Sequence, residues 1–153
     1  MSAEQKLKEM GITLPPAPAA LGAYIPCVQA GNLLFLSGQL PLRGGKLLHT
    51  GKLGDSVSIS EAQEDARQAV LNALSNVKAY LGNLDRVGRC VKVNGFVAST
   101  PDFIDQPQVL NAASELLREI FGEPGRHSRV AVGVPVLPLN SPVEIDFIFE
   151  VKE

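Results

Sequence analysis

A chain of 153 residues, 45% of them apolar, holds enough hydrophobic matter for one domain with one core. Its net charge of −2 comes from intermixed acids and bases, and it has no tryptophan and few other aromatics. That balance argues against a broad electrostatic grip on nucleic acid or anionic membrane, and against a base-stacking platform. The cysteines Cys27 and Cys90 stand apart from each other and from any histidine cluster, so neither a disulfide framework nor a zinc site is expected.

The first ten residues are charged and lack the apolar centre of a signal peptide, and no stretch reaches membrane-span length. The expectation is a cytoplasmic protein without a membrane segment. Residues 3–10 read as a short helical turn with Leu7 and Met10 on one side. Pro15-Pro16-Ala17-Pro18 ends it in a stiff extended lead-in. Residues 1–16 thus form an N-terminal extension to a single domain over 17–153. Cys27 to Ala30 is a weak strand, and Asn32 to Gln39 a stronger one. Gly44-Gly45 marks a turn before a third strand around Lys46 to His49, and Gly51 to Val57 reads as loop.

Ser58-Ile-Ser-Glu61 has capping-box spacing and opens the longest helix. Its apolar positions run Ala62, Ala66, Ala69, Val70, Ala73, Leu74, Val77, Leu81, in steps of three and four, to a stop at Gly82. The small residues early in that stripe predict close approach to a sheet. Cys90 to Val97 alternates like a strand. A second helix spans about Pro107 to Phe121, with Val109, Leu110, Ala113, Leu116, Leu117 and Ile120 on one face, and Gly122-Glu-Pro-Gly125 breaks it. Strands near 129–137 and 143–152 close the chain.

This order predicts an α+β fold with a mixed sheet and two helices packed on one face. In the last strand Val143, Ile145, Phe147, Phe149 and Val151 point one way, yet Ile148 interrupts the polar side. Leu33 and Phe35 likewise alternate with Leu34 and Leu36. Both sheet faces are apolar while helices are available for one, which predicts oligomerisation through the other.

Arg129 opens an otherwise apolar strand, Arg129-Val-Ala-Val-Gly-Val-Pro-Val-Leu-Pro138. A guanidinium there is costly unless it meets an anion, and its planar fork matches a carboxylate through two parallel hydrogen bonds. Glu144, on the polar side of the next strand, is expected to face the same place. Ser37-Gly38-Gln39 ends an apolar strand, where glycine permits close backbone approach. His49 and His127 have no partners at metal or triad spacing and read as surface or structural residues. Cys27 reads as an inert buried thiol.

Four segments resemble the YjgF family of reactive intermediate deaminases, the RidA group, also known as the endoribonuclease L-PSP family. They are Ala19-Ala-Leu-Gly-Ala-Tyr24, Phe35-Leu-Ser-Gly-Gln-Leu-Pro41, the stretch through Asn111, and Arg129-x-Ala-Val-Gly-Val-x-x-Leu-Pro138 with Val-Glu144-Ile-Asp. The resemblance covers residues 17 to 152. It implies a chorismate-mutase-like fold of the Bacillus type, assembled as a homotrimeric barrel with ligand clefts between subunits. It further implies hydrolysis of 2-imino or enamine acids to 2-keto acids and ammonia, without cofactor or metal.

Carried over by position, Arg129 would clamp the substrate carboxylate, Glu144 would position or activate the water, and Ser37 would help hold it. Tyr24 would line the cleft, and Asn111 would be a polar cleft residue. Ala131 stands where the family has cysteine, a position that contributes mainly through its backbone. The Leu-Pro-Leu-Asn-Ser-Pro turn and the extension mark a divergent branch. Two alternatives stay open: a non-catalytic trimeric carboxylate-binding protein acting as sensor or regulator, and an endoribonuclease, which the acidic balance does not favour.

Overall fold

The last strand sets the architecture because its side chains are sorted so cleanly. In a computed structural model describing residues 1–153, Val143, Ile145, Phe147, Phe149 and Val151 are buried, while the residues between them are only half-buried. The elements run α1 (Ala3–Glu9), β1 (Cys27–Ala30), β2 (Leu33–Leu36), β3 (Leu42–Arg43), β4 (Lys46–Leu47), α2 (Ile59–Leu81), β5 (Val87–Ala98), α3 (Gln106–Phe121), β6 (Ser128–Val134) and β7 (Val143–Val151). Five strands form one sheet in the order β1-β2-β7-β5-β6. Every neighbouring pair is antiparallel except β5 and β6, which run parallel with α3 as their crossover.

Helix α2 starts where the capping box was expected. Ser58 Oγ accepts from the Glu61 amide at 3.1 Å, and Glu61 Oε1 accepts from the Ser58 amide at 3.0 Å. It stops at Gly82, whose φ of 86° is the left-handed conformation that closes a helix. Ala62, Ala66, Ala69 and Ala73 are fully buried, so the helix lies close against its neighbours as the small stripe predicted. Helix α3 is held tightly too: a Cβ on Gly95 of β5 would run into the Leu110 side chain. The N-terminal extension is part of this core, with α1 packed on α3 and Ala3 and Leu7 buried among the same side chains.

Two expectations change. The third strand is a separate two-residue hairpin, Leu42–Arg43 with Lys46–Leu47, outside the main sheet. Gly44 and Gly45 both have positive φ, 60° and 80°, the two-residue turn that reverses a chain tightly. The later strands also shift: β5 starts at Val87, and β6 ends at Val134, short of Pro135. The helices cover one face of the sheet only. The other carries Val28, Phe35, Val130 and Val132, all more than a third exposed, with Ile148 and Phe96 between them. The uncovered face inferred from the alternation is present, with these apolar side chains set among Lys92, Asn94, Asp146 and Glu144.

Candidate functional site

The candidate residues fall into two groups. Tyr24, Ser37 and Glu144 line one cavity of about 500 Å³, bordered by Pro18, Leu21, Pro26, Leu40 and Pro138. Arg129 and Asn111 line another, of about 300 Å³, with Ser114, Arg118, Arg126 and His127. Within one copy these groups cannot meet. Arg129 pairs across β5 with Val93, which pairs with Phe147; Glu144 pairs with Phe96, three positions further along. Two strand spacings and three residues along the sheet separate their Cα atoms by about 14 Å. Residues opposite one another share a face, so Arg129 projects to the helix side with Val93, and Glu144 to the open side with Phe96. The expectation that both face the same place is corrected for a single copy: the strand alternation puts them on opposite faces.

The Glu144 half is built around a missing side chain. A Cβ on Gly38 would collide with Glu144 Oε1, so glycine at 38 lets the carboxylate lie against the backbone of residues 37–39. Partial burial, and secondarily the Asp146 carboxylate two residues on, raise the Glu144 pKa above the ordinary carboxylate value. Asp146 itself accepts from Asn94 Nδ2 at 2.7 Å. Ser37 Oγ donates to the Ile25 carbonyl at 2.7 Å, which commits its hydrogen and leaves its lone pairs to accept. The Tyr24 hydroxyl accepts the Leu21 amide at 3.2 Å within its own loop, and the ring is about half exposed at the cavity wall.

The Arg129 half is polar throughout. Nη1 donates to Asn111 Oδ1 at 2.9 Å and to Ser114 Oγ at 3.2 Å. Both hydrogens of that nitrogen are therefore used on neutral acceptors. No carboxylate lies within ion-pair distance of the guanidinium, whereas Arg126 is paired with Glu123. What stays open is the side-on fork of Nε and Nη2, the edge that grips a carboxylate in two parallel bonds. Asn111 thus acts here on Arg129. Ala131, two residues on, keeps its methyl half-buried on the helix face, packed against the core.

Ser114 and His127 are members of this half that the spacing of residues did not reveal. His127 Nδ1 is 2.8 Å from the Gly125 carbonyl, and its Nε2 is 2.9 Å from Ser114 Oγ. Of the other groups, His49 lies against α2, with Nδ1 2.8 Å from Asp65 Oδ2. Cys27 is buried, and burial pushes its thiol up to about 11, so it is no nucleophile at neutral pH. No cluster of three histidine, cysteine or acidic residues has metal-binding geometry, and no helix is long and apolar enough to cross a membrane.

A mixed five-stranded sheet with its helices on one face, and a polar half-site on each side of it, defines a small α+β class. The family described as "YjgF/chorismate_mutase-like, putative endoribonuclease" matches residues 4–151. The chain belongs to that family. Among its relatives, Protein TCP17 of Trypanosoma cruzi is 45% identical over 147 residues, covering 95% of this chain and 92% of its own length. The 2-iminobutanoate/2-iminopropanoate deaminase of Dermatophagoides farinae is 32% identical over 141 residues, covering 92% and 95%. Among solved structures, the protein Atu1372 of Agrobacterium tumefaciens, of unknown function, superposes with a TM-score of 0.91 at 48% identity, over 98% of this chain and 92% of that one.

Proposed function

We propose that this chain hydrolyses small 2-imino or enamine acids to 2-keto acids and ammonia, in clefts formed between copies of a cytoplasmic homotrimer. The observation that carries the reading is the pair of half-sites: an Arg129 fork with no acidic partner on one face, and a Ser37–Glu144 pair of acceptors on the other. Each lacks what the other supplies. The open apolar sheet face, which no helix covers, is the surface on which copies would assemble.

In such a cleft Arg129 of one copy holds the substrate carboxylate side-on. Ser37 and Glu144 of the next accept the two hydrogens of one water, which turns a water lone pair toward the imine carbon. The carbon is already electrophilic, so orientation supplies much of the barrier reduction. The water oxygen bonds to C2 of the protonated imine, the C=N π pair moves to nitrogen, and a water proton passes to Glu144, leaving a neutral carbinolamine. The carbinolamine then collapses. Glu144 returns its proton to the nitrogen, and the C–N bond breaks with its electron pair leaving on ammonia. A hydroxyl lone pair forms the keto C=O as the hydroxyl proton passes to the departing ammonia, which leaves as ammonium. A Glu144 pKa above the ordinary carboxylate value suits a group that both accepts and returns that proton. Ala131 is compatible with this scheme, in which no thiol takes part.

The test is ammonia release from 2-iminopropionate generated in situ by an amino-acid oxidase. Purified protein should accelerate it over the uncatalysed hydrolysis, and Arg129→Ala or Glu144→Gln should lower kcat/KM by about 10²-fold or more. Unchanged turnover in Arg129→Ala would remove the assigned clamp. Binding of a 2-keto acid with no acceleration would instead support a carboxylate-binding protein without turnover.

A further inference from the structure

A side chain that must present one edge of its guanidinium to a ligand needs its other edge fixed, and the structure shows how that is done. Gly125 is the anchor. A Cβ there would strike the Leu117 carbonyl, so glycine lets the turn 123–125 seat on α3 and fixes the Gly125 carbonyl beside His127. A carbonyl only accepts, so the 2.8 Å contact requires the imidazole hydrogen on Nδ1. Neutral histidine then has a bare lone pair on Nε2, and the 2.9 Å contact from Ser114 Oγ must be the hydroxyl donating to it. With its hydrogen so directed, Ser114 Oγ turns lone-pair density toward Arg129 Nη1, 3.2 Å away. Asn111, one turn earlier on the same face of α3, takes the other hydrogen of that nitrogen.

We propose that His127 and Ser114 are positioning residues for Arg129: a relay Gly125 carbonyl–His127–Ser114 that works only with neutral imidazole and keeps the Nε/Nη2 edge of Arg129 aimed at the substrate carboxylate. The proposal rests on the carboxylate-clamp reading of Arg129. Desolvation, opposed by the Gly125 bond and aided by the Arg129 charge, lowers the His127 pKa, which keeps the ring neutral at pH 7. The charges around it are Glu115 and Arg118 of α3, and Arg126 and Arg129 on its own strand and its approach. Glu123 of the turn pairs with Arg126, and Arg89 of β5 donates to the Arg126 carbonyl. When His127 takes a proton, Nε2 becomes a donor, the Ser114 hydrogen must turn elsewhere, and a second cation faces the guanidinium. Arg129 then loses its aim.

The experiment uses the assembled full-length protein and pyruvate as probe, a 2-keto acid whose carboxylate does not titrate above pH 5. Calorimetric Kd for pyruvate, and kcat and KM for 2-iminopropionate, are measured from pH 5.5 to 8. The variants are Ser114→Ala, His127→Phe, His127→Gln and Arg129→Ala. Loss of one hydrogen bond to a charged group predicts that Ser114→Ala and His127→Phe raise Kd and KM about tenfold with kcat little changed. Glutamine offers an acceptor where Nε2 stood, so His127→Gln should keep wild-type Kd at pH 7. It should also lack the loss of affinity expected of wild type toward the acid end of that range, where His127 takes up its proton. Nitrogen NMR should find the neutral ring as the Nδ1–H tautomer.

Wild-type Kd in Ser114→Ala, an unchanged acid limb in His127→Gln, or an Nε2–H tautomer would each overturn the relay. If Arg129→Ala itself binds pyruvate like wild type, the clamp reading fails instead. Should His127→Phe not fold, the serine and glutamine variants decide the matter.

Discussion

Placing Arg129 and Glu144 on opposite faces of one sheet leads to a complementation experiment with a definite yield. On the proposed assembly, Arg129→Ala and Glu144→Gln chains each lack one half of every cleft, so a homotrimer of either should be inactive. In a mixed trimer, the cleft between an Arg129 donated by a Glu144→Gln chain and a Glu144 donated by an Arg129→Ala chain is whole. Whether the trimer holds two chains of one kind or two of the other, one cleft in three is restored. Random assembly at equal ratio makes about three quarters of trimers mixed, so about one quarter of wild-type activity should return. The two variants, carrying different tags, are co-expressed, doubly purified so that only mixed trimers remain, and assayed for ammonia release; after that selection the yield should rise to about one third. Sedimentation must show a three-chain mass. Mixed trimers no more active than either parent would refute the reasoning, because they would mean that Arg129 and Glu144 are needed from the same copy.

Gly38→Ala places a methyl against the Glu144 carboxylate and should lower kcat by about 10²-fold through displacement of the water-holding group, checked by steady-state kinetics beside an unchanged circular dichroism spectrum. Phe35→Asp combined with Val132→Asp puts charge on the open sheet face and should yield a folded monomer by sedimentation, without imine turnover. Asp65 is fully buried, its Oδ1 has no hydrogen-bond partner, and desolvation raises its pKa from 3.8 to about 6 despite the His49 contact. A folded-state pKa above the unfolded one stabilises most below pH 4 and loses that contribution as pH rises toward 6. Denaturant titrations from pH 4 to 7 should show wild type losing up to about 3 kcal/mol relative to Asp65→Asn, whose stability should not carry that slope.

Much of this fold was legible because the chain states it redundantly. The capping box at Ser58, the alanine stripe of α2 and the strict alternation of β7 each carry their own physical signal, and the structure follows all three. Alternation also misled. It sorts residues onto two sides of a strand without saying which side is the core, and that ambiguity is harmless only when one face is polar. Glu144 was expected to face the same place as Arg129. In β6 the valines at 130 and 132 lie on the open face with Glu144, and Arg129 turns toward α3. The hairpin at Gly44-Gly45 was marked by its glycines, whereas the contacts of His49 with Asp65 and Glu61 join residues distant in sequence.

The site was legible as residue types and illegible as an assembly. Arg129, Glu144, Ser37 and Asn111 were named as candidates by motif, yet nothing in a linear pattern says that a hydroxyl of α3 and an imidazole before β6 would share one nitrogen's environment. That arrangement depends on two close approaches, α3 onto Gly95 and the 123–125 turn onto α3 at Gly125. Each exists because a side chain is absent. The same logic runs through the other half, where Gly38 makes room for Glu144. Three glycines thus act through the space they leave, which admits Glu144 beside residue 38, α3 onto β5 and the 123–125 turn onto α3. Substituting any of them should disturb function through geometry while every hydrogen-bonding side chain remains in place.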